Sequence, residues 1–275
     1  KMRKLIINDV AFDMTLPEQI EKTALAGWDG MFTGWDREKG NKHIAALIKD
    51  AGLIYQSIHA PFEHCDRLWE KDRAADDEEA MLTKCLQDAS DAGVGIVVMH
   101  AIIGMDKNTP NETGVERFYR LAEKALHLGV KIAVENTEGE SYLDAVINAL
   151  NGHPAIGYCI DTGHEMCYNH CHDIIGRFGR KIIATHLNDN MKMTGEKLTW
   201  LDDSHMMPFD GLADWQSIVL RLKKAEYTGP LTFELVPVNR PGRHTHDIYS
   251  ALSPDEFLSL ALTKAKKLRQ LFDEK

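Results

Sequence analysis

No apolar run in this 275-residue chain approaches the roughly 18 residues that a bilayer-spanning helix requires. No signal-peptide core follows Lys1-Met2-Arg3-Lys4, which runs straight into the strand-like Leu5-Ile6-Ile7. No membrane partner is expected, and the expected location is the cytoplasm. Cysteine is sparse, with five residues at irregular spacing. An odd, irregular set is not a disulfide framework, and no paired Cys-x-x-Cys motif is present. Positive charge is in deficit. Lys and Arg number 32 against 42 Asp and Glu, a formal net charge of −10. Binding to a phosphate backbone relies on clustered cations, so nucleic acid is disfavoured as a partner. Gly-Lys-Ser/Thr and Gly-x-Ser-x-Gly are both missing, which leaves P-loop chemistry and the serine-hydrolase elbow without support.

What is present is an alternation. Short apolar, β-prone runs fall at Lys4–Asn8, Gly30–Thr33, Leu53–His59, Gly95–His100, Lys131–Glu135, Ile156–Asp161, Lys181–Leu187 and Leu231–Leu235. Helical patterns fall near 16–26, 40–51, 74–92, 113–128, 141–150, 170–178, 212–225 and 254–273. Eight such pairs in a chain of this length predict one α/β domain over residues 1–275, a (β/α)8 TIM barrel, with an open doubly wound sheet as the alternative. Pro17 after Thr15 or Leu16, and Pro254 after Ser253, read as helix starts. Gly52, Gly93, Gly129 and Gly229 stand where helix C-caps belong. The long irregular segments 60–73, 188–211 and 236–253 each follow a strand, so they belong at the rim that carries a barrel's site.

Six of the apolar runs end in a metal-capable side chain: His59, His100, Glu135, Asp161, His186 and Glu234. Parallel strands of a barrel all point their C-terminal ends at one rim, so residues far apart in sequence converge there. Glu135, Asp161, His186 and Glu234 are the most economical set, a mixed O/N shell for one divalent ion. Asp161-Thr162-Gly163-His164 adds an imidazole on the turn after its strand. Asp203-Ser204-His205 puts two ligand types on one side of an extended segment. With these, nine residues could hold two or three ions, and His59 and His100 could instead bind substrate. The Cys167–His172 stretch reads as a surface helix start, His64 and Cys65 as solvent-facing loop residues, and Trp215 as core. Trp200 lies in a rim loop suited to stacking on a substrate. Arg240, with Arg243, His244 and His246, follows the last strand, a frequent phosphate-binding neighbourhood in barrels.

Ile58-His59-Ala60-Pro61, Val98-Met99-His100, Val134-Glu135-Asn136-Thr137, Ile160-Asp161-Thr162-Gly163-His164, Thr185-His186-Leu187-Asn188-Asp189, Asp203-Ser204-His205 and Phe233-Glu234 resemble the motifs of the xylose-isomerase-like TIM-barrel superfamily. Two sets of implications follow. Resemblance to the sugar isomerases and epimerases implies one metal on Glu135, Asp161, His186 and Glu234. The two glutamates would then act as acid and base on a small carbohydrate or sugar phosphate, with His164 steadying charge. Resemblance to the endonuclease IV type implies three zincs on all nine residues and phosphodiester hydrolysis. The segment Met206–Trp215 is closer to the sugar-enzyme pattern, and the acidic stretch Glu63–Glu79 suits DNA poorly. Ketose epimerases usually carry a substrate-contacting arginine six residues after the histidine ligand, where Lys192 stands here as the candidate substrate contact. The expected cofactor is one to three divalent ions, zinc or manganese first. A non-catalytic metal- or sugar-binding barrel is the third reading, and homo-oligomer formation stays open.

Overall fold

The computed structural model describes residues 2–10, 12–107, 109–193 and 196–274. Each apolar run is a strand: β1 (Leu5–Asn8), β2 (Gly30–Gly34), β3 (Ile54–His59), β4 (Ile96–His100), β5 (Lys131–Glu135), β6 (Ile156–Asp161), β7 (Ile182–His186) and β8 (Leu231–Phe233). Between and after them lie α1 (Leu16–Ala26), α2 (Lys42–Asp50), α3 (Arg73–Asp91), α4 (Glu112–Leu128), α5 (Glu140–Leu150), α6 (Thr162–Met166), α7 (Ile174–Phe178), α8 (Trp215–Lys224) and α9 (Pro254–Asp273). Among the described residues seven ladders form, all parallel: six join sequence neighbours and the seventh pairs β1 with β8. The last gap is closed by one parallel bridge, Leu187 to Phe233, and by the Thr185 hydroxyl, which accepts from Thr232 N at 3.0 Å. The result is a TIM barrel, as the alternation predicts.

Local chemistry explains the boundaries. Thr15 and Ser253 each form a reciprocal capping box with the glutamate three residues on. β8 ends at Phe233, two residues earlier than predicted. There the Asn8 side chain replaces the ladder, accepting from Leu235 N at 2.9 Å and donating to Leu235 O at 3.0 Å. The helix predicted over 170–178 is a correction. His170 and Cys171 sit at φ 52° and 61°, a left-handed pair that no helix continues through. The Cys167–His172 stretch is thus a turn between α6 and α7. Gly229 is not a C-cap either. The left-handed residue after α8 is Glu226, at φ 56°, while Gly229 lies so close to Tyr227 that a Cβ would come within 2.5 Å of its hydroxyl. Cys65 is buried in a 3₁₀ turn, Cys65–Trp69, rather than facing solvent. Trp215 is buried, as its apolar spacing predicts.

Most of the core lies between strands and helices, where outward-facing Ile132, Val134, Tyr158 and Ile160 meet helix residues such as Phe118, Leu143, Ile175 and Leu222. The barrel interior has its own small cluster of Val98, Ala133, Cys159 and Ala184. Side chains alternate along a strand, so the residue two further on each of these strands also points inward. Those residues are His100, Glu135, Asp161 and His186.

Candidate metal centre

The four strand-end residues of β4 to β7 meet Glu234, which follows β8, at the barrel rim. His186 Nδ1 lies 2.7 Å from Glu135 Oε1 and 3.2 Å from Glu234 Oε2. Glu135 Oε2 lies 3.2 Å from His59 Nε2 and 3.1 Å from His100 Nε2. Asp203 Oδ2 lies 3.3 Å from His164 Nε2 and 2.9 Å from His205 Nε2. Donor atoms close enough to share one ion occur in several groups. Among them are Glu135, Asp161, His186 and Glu234; His59, His100 and Glu135; and Asp161, His164 and His205. The fold therefore brings together all nine residues singled out in the sequence.

The histidines are set for metal. His59 Nδ1 donates to Ala60 O at 2.7 Å, His164 Nδ1 to Asn136 O at 2.8 Å, and His205 Nδ1 to Glu234 O at 3.2 Å. A carbonyl only accepts, so each contact places the ring hydrogen on Nδ1. In a neutral ring, Nε2 then turns a bare lone pair toward a carboxylate oxygen. That arrangement calls for a cation between the two, either a proton or a metal ion. A backbone carbonyl fixing the tautomer from behind is the usual support for a ligating histidine. Asp203 Oδ1 is buried without a hydrogen-bond partner among the described residues, an electron pair that the protein does not use. The residues present thus fit a divalent cofactor.

Burial opposes charge on every one of these groups, and the neighbours decide the outcome. Glu135 is held well below the ordinary carboxylate range because His186, His100 and His59 outweigh its burial. Asp203 is lowered likewise by His205 and His164, and Glu234 by His186 and His205. Asp161 is the exception, pushed up to about 6 by burial. His205 rises to about 9 through Asp203, despite its burial. His100 goes down, because burial there exceeds the pull of Glu135.

Several supporting residues escaped the sequence reading. Asn136 donates to Asp161 O at 2.9 Å and accepts from Asp161 N at 2.8 Å, tying the ends of β5 and β6 together. Asn188 donates to Asp161 Oδ2 at 2.8 Å. Its amide oxygen crowds Gly163, where a Cβ would come within 2.0 Å, so the Asp-Thr-Gly-His turn needs glycine. Asp189 accepts from Phe209 N, Ala213 N and Trp215 Nε1, at 2.9 to 3.0 Å, and so folds the Met206–Trp215 segment. The signal available for these residues was their place one to three positions after a ligand.

A cavity of about 550 Å³ opens above the ligands. His59, His100, His164, Asp203, His205 and Glu234 line it, as do Trp200 and Arg240. Arg240 donates to Asp203 O at 2.8 Å. Glu135, Asp161 and His186 lie beneath, buried. Lys192 is a correction. At φ 62° it turns outward into a groove with Glu165, Asp173 and Arg221, away from the cavity. Phe62, Met105, Glu138 and Tyr168 line the cavity and were not singled out in the sequence.

A barrel with convergent carboxylates and imidazoles at the C-terminal ends of its strands defines a class, the TIM barrels with a metal-type rim site. Comparison narrows it further. The family described as xylose isomerase-like TIM barrel matches residues 20–251, and the chain belongs to it. Protein y4fM of Sinorhizobium fredii is 27% identical over 251 residues, covering 75% of this chain and 76% of that protein. The 3-dehydroshikimate dehydratase of Pseudomonas putida is 24% identical over 250 residues, covering 83% of this chain but only 37% of that enzyme. Among solved structures, the zinc-bound IOLI protein superposes with a TM-score of 0.75 at 18% identity, covering 98% and 99% of the two chains. A D-allulose 3-epimerase from Methylomonas, in complex with D-allulose, gives a TM-score of 0.72 at 18% identity, covering 96% and 97%. Among the described residues no helix is long and apolar enough to cross a membrane.

Proposed function

We propose that this chain is a divalent-metal-dependent isomerase or epimerase of a small sugar or sugar phosphate. One observation carries the reading. Glu234 reaches His186 Nδ1 from the cavity side while Glu135 reaches it from below, and Glu234 is the partly exposed member of the pair, at 22% against 0%. A carboxylate that both faces the ligand set and opens into the cavity is placed to take a proton from bound substrate. When bound, the divalent ion supplies Lewis-acid polarisation of a carbonyl and its neighbouring hydroxyl, which acidifies the adjacent C–H. Glu234 removes that proton, leaving an enediolate. Glu135 serves as the second acid/base group from below, returning a proton on the other side. His164, kept protonated by Asp161 and Asp203 despite its burial, holds its Nδ1 hydrogen on Asn136 O and offers its Nε2 hydrogen to the negative charge that develops. A sugar substrate is supported by the D-allulose 3-epimerase, in complex with D-allulose, among the structural neighbours. Glu234→Gln is expected to abolish exchange of solvent deuterium into the substrate while the protein keeps its bound metal. Exchange at the wild-type rate would remove Glu234 from the mechanism.

A second reading, phosphodiester hydrolysis by a metal cluster, is favoured by the two outer histidine groups, His59–His100 and His164–His205. Three ions there would neutralise a pentavalent phosphate. Several acids of the Glu63–Glu79 stretch are paired with Arg117, Arg120 and Lys107, so they repel DNA less than their number suggests. Even so, Arg240 is the sole Lys or Arg side chain among the described residues lining the cavity above the ligands, a poor match to a polyanion. Cleavage of abasic-site DNA by the metal-loaded protein would reverse the order of the two readings.

A further inference from the structure

Most polar side chains around the cavity of about 550 Å³ already have work within the protein. His59, His100, His164, Asp203, His205 and Glu234 belong to the ligand set. Asn8 is bonded to both polar groups of the Leu235 backbone. The Thr137 hydroxyl donates to Glu138 O at 3.3 Å, and a Glu138 carboxylate oxygen accepts from Gly104 N at 2.8 Å. Arg240 and Tyr168 keep donor hydrogens to spare. Arg240 is anchored through Nε on Asp203 O at 2.8 Å, with its guanidinium carbon 5.8 Å from the centre of the Trp200 ring. Its Nη1 has no hydrogen-bond partner among the described residues. The Tyr168 hydroxyl has none there either, and it is open to the cavity. Burial, with Asp203 nearby, raises its pKa, so that hydroxyl keeps its hydrogen. The Trp200 indole N–H is also unbonded, but its side chain is 54% exposed and water can serve it. Arg240 and Tyr168 flank one pair of ligand residues. Arg240 holds Asp203, Asp203 lies 3.3 Å from His164, and the Tyr168 ring packs on His164 with centroids 4.9 Å apart.

A guanidinium and a phenolic hydroxyl on one side of a cavity, both with unused hydrogens, suit a planar anion. The charge balance favours a carboxylate over a phosphate dianion. Arg240 is the one Lys or Arg of the cavity among the described residues, and Glu138 adds a negative charge outside the ligand set. Glu138 follows β5, three strands round the barrel from Arg240, so it repels an anion from the other wall and accepts from hydroxyls there. We infer that the substrate is a sugar acid, held by its carboxylate on Arg240 and Tyr168. Its carbonyl and the neighbouring hydroxyl lie over the ligand set beside Glu234, and its remaining hydroxyls extend toward Glu138. The apolar Phe62, Ile103, Met105 and Val236 take the C–H edges of the carbon chain. An open-chain uronate has this layout, an aldehyde and its adjacent hydroxyl at one end and the carboxylate at the other. Glu234 takes the hydrogen of the carbon next to the aldehyde. The proton returns to the former aldehyde carbon, giving a ketose, or to the carbon it left, giving the epimer. The carboxylate is unchanged and no co-reactant is consumed. This inference rests on the metal-dependent sugar chemistry proposed above and specifies its substrate class.

Titration calorimetry tests it on the metal-loaded full chain, with D-glucuronate against D-glucose, D-galacturonate against D-galactose, and D-glucose 6-phosphate as the phosphate arm. In at least one pair the uronate is expected to bind tenfold or more tightly than the neutral sugar, because a site built around an anion loses that bond with the neutral analogue. Arg240→Gln is expected to erase the preference. Tyr168→Phe, which removes only the hydroxyl, is expected to cut it at least threefold. A carboxylate bound to the metal alone would also favour uronates, but that preference would survive both substitutions and overturn the inference. Equal affinities within both pairs, no binding by any of the five, or tighter binding of the phosphate than of either uronate would overturn it too. Exchange of solvent deuterium into the sugar reads the underlying chemistry separately. Uronate preference without exchange upholds the carboxylate site and removes the isomerase reading. Exchange into neutral sugars without uronate preference does the reverse.

Discussion

Two layers of the barrel interior lie one above the other on the same four strands and could hardly differ more. The lower layer is Val98, Ala133, Cys159 and Ala184, apolar and mostly small. The upper layer, two residues further along each strand, is His100, Glu135, Asp161 and His186. Barrel interiors are usually filled by bulky branched side chains. Here a floor of small residues leaves room for long side chains above it to turn toward one another. The upper layer is scarcely more exposed than the lower, with Glu135 at 1% and Asp161 and His186 at 0%. A buried polar layer holds only when its members satisfy each other. Glu135 does most of that, contacting His59, His100 and His186 at once.

The sharpest way to break the contrast is to remove its hub. Glu135→Ala leaves three histidines without their shared carboxylate, and loss of one partner from a buried ionic cluster costs about 3–5 kcal/mol. Urea unfolding of the metal-free variant is expected to show a loss of that size, and metal analysis is expected to show that the ion is gone. The floor is tested by enlarging it. Ala133→Leu lies directly below Glu135 on β5, and overpacking a filled core costs about 1–3 kcal/mol. It is expected to keep the fold and lose metal. Wild-type metal content in that variant would show that the small floor plays no part in shaping the site.

The strand ends were legible because a period of two puts the last inward residue of each run in a known place. The helix starts after Thr15 or Leu16 and at Ser253 were legible because cap and proline signals are local, while the reciprocal bonds to Glu18 and Glu256 came from the structure. The 170–178 helix was misread because the left-handed turn at His170 and Cys171 carries no glycine to announce it. Lys192 was misassigned by counting from His186, since a loop's direction depends on contacts such as its amide bond to Asn190 Oδ1, at 3.1 Å, that spacing does not encode. Asn136 and Asn188 act through backbone and carboxylate partners 25 and 27 residues away. Met105 and Tyr168 reach the cavity from loops without periodicity. In each case the missing information was tertiary.

The polar layer also responds to pH, with a sign fixed by its histidines. His205 holds its proton up to about 9 beside Asp203, and that proton must leave before Nε2 can bind an ion. Raising the pH from 6 to 9 is therefore expected to increase metal affinity, by up to about tenfold per pH unit for each proton displaced. Competition with a chelator at three pH values measures this. A flat profile would mean that the outer histidines, His164 and His205, take no part in holding metal.

The smallest expected effect separates the rim from its surroundings. Lys192 is exposed and lies in a groove beside Asp173 and Arg221, whereas Arg240, across the rim, lines the cavity and bonds to the backbone of a candidate ligand. Both are cations that follow a ligand strand, so sequence position alone treats them alike. Their surroundings do not. Lys192→Ala is expected to change stability by no more than about 0.5 kcal/mol, the usual range for a surface site, and to leave KM unchanged. Arg240→Ala frees Asp203 O and removes the cation beside Trp200, so its effect is expected in KM rather than in the fold. A raised KM in Lys192→Ala would mean that the loop after Asn190 swings inward when substrate binds, which would place Lys192 back in the site by motion rather than by static geometry.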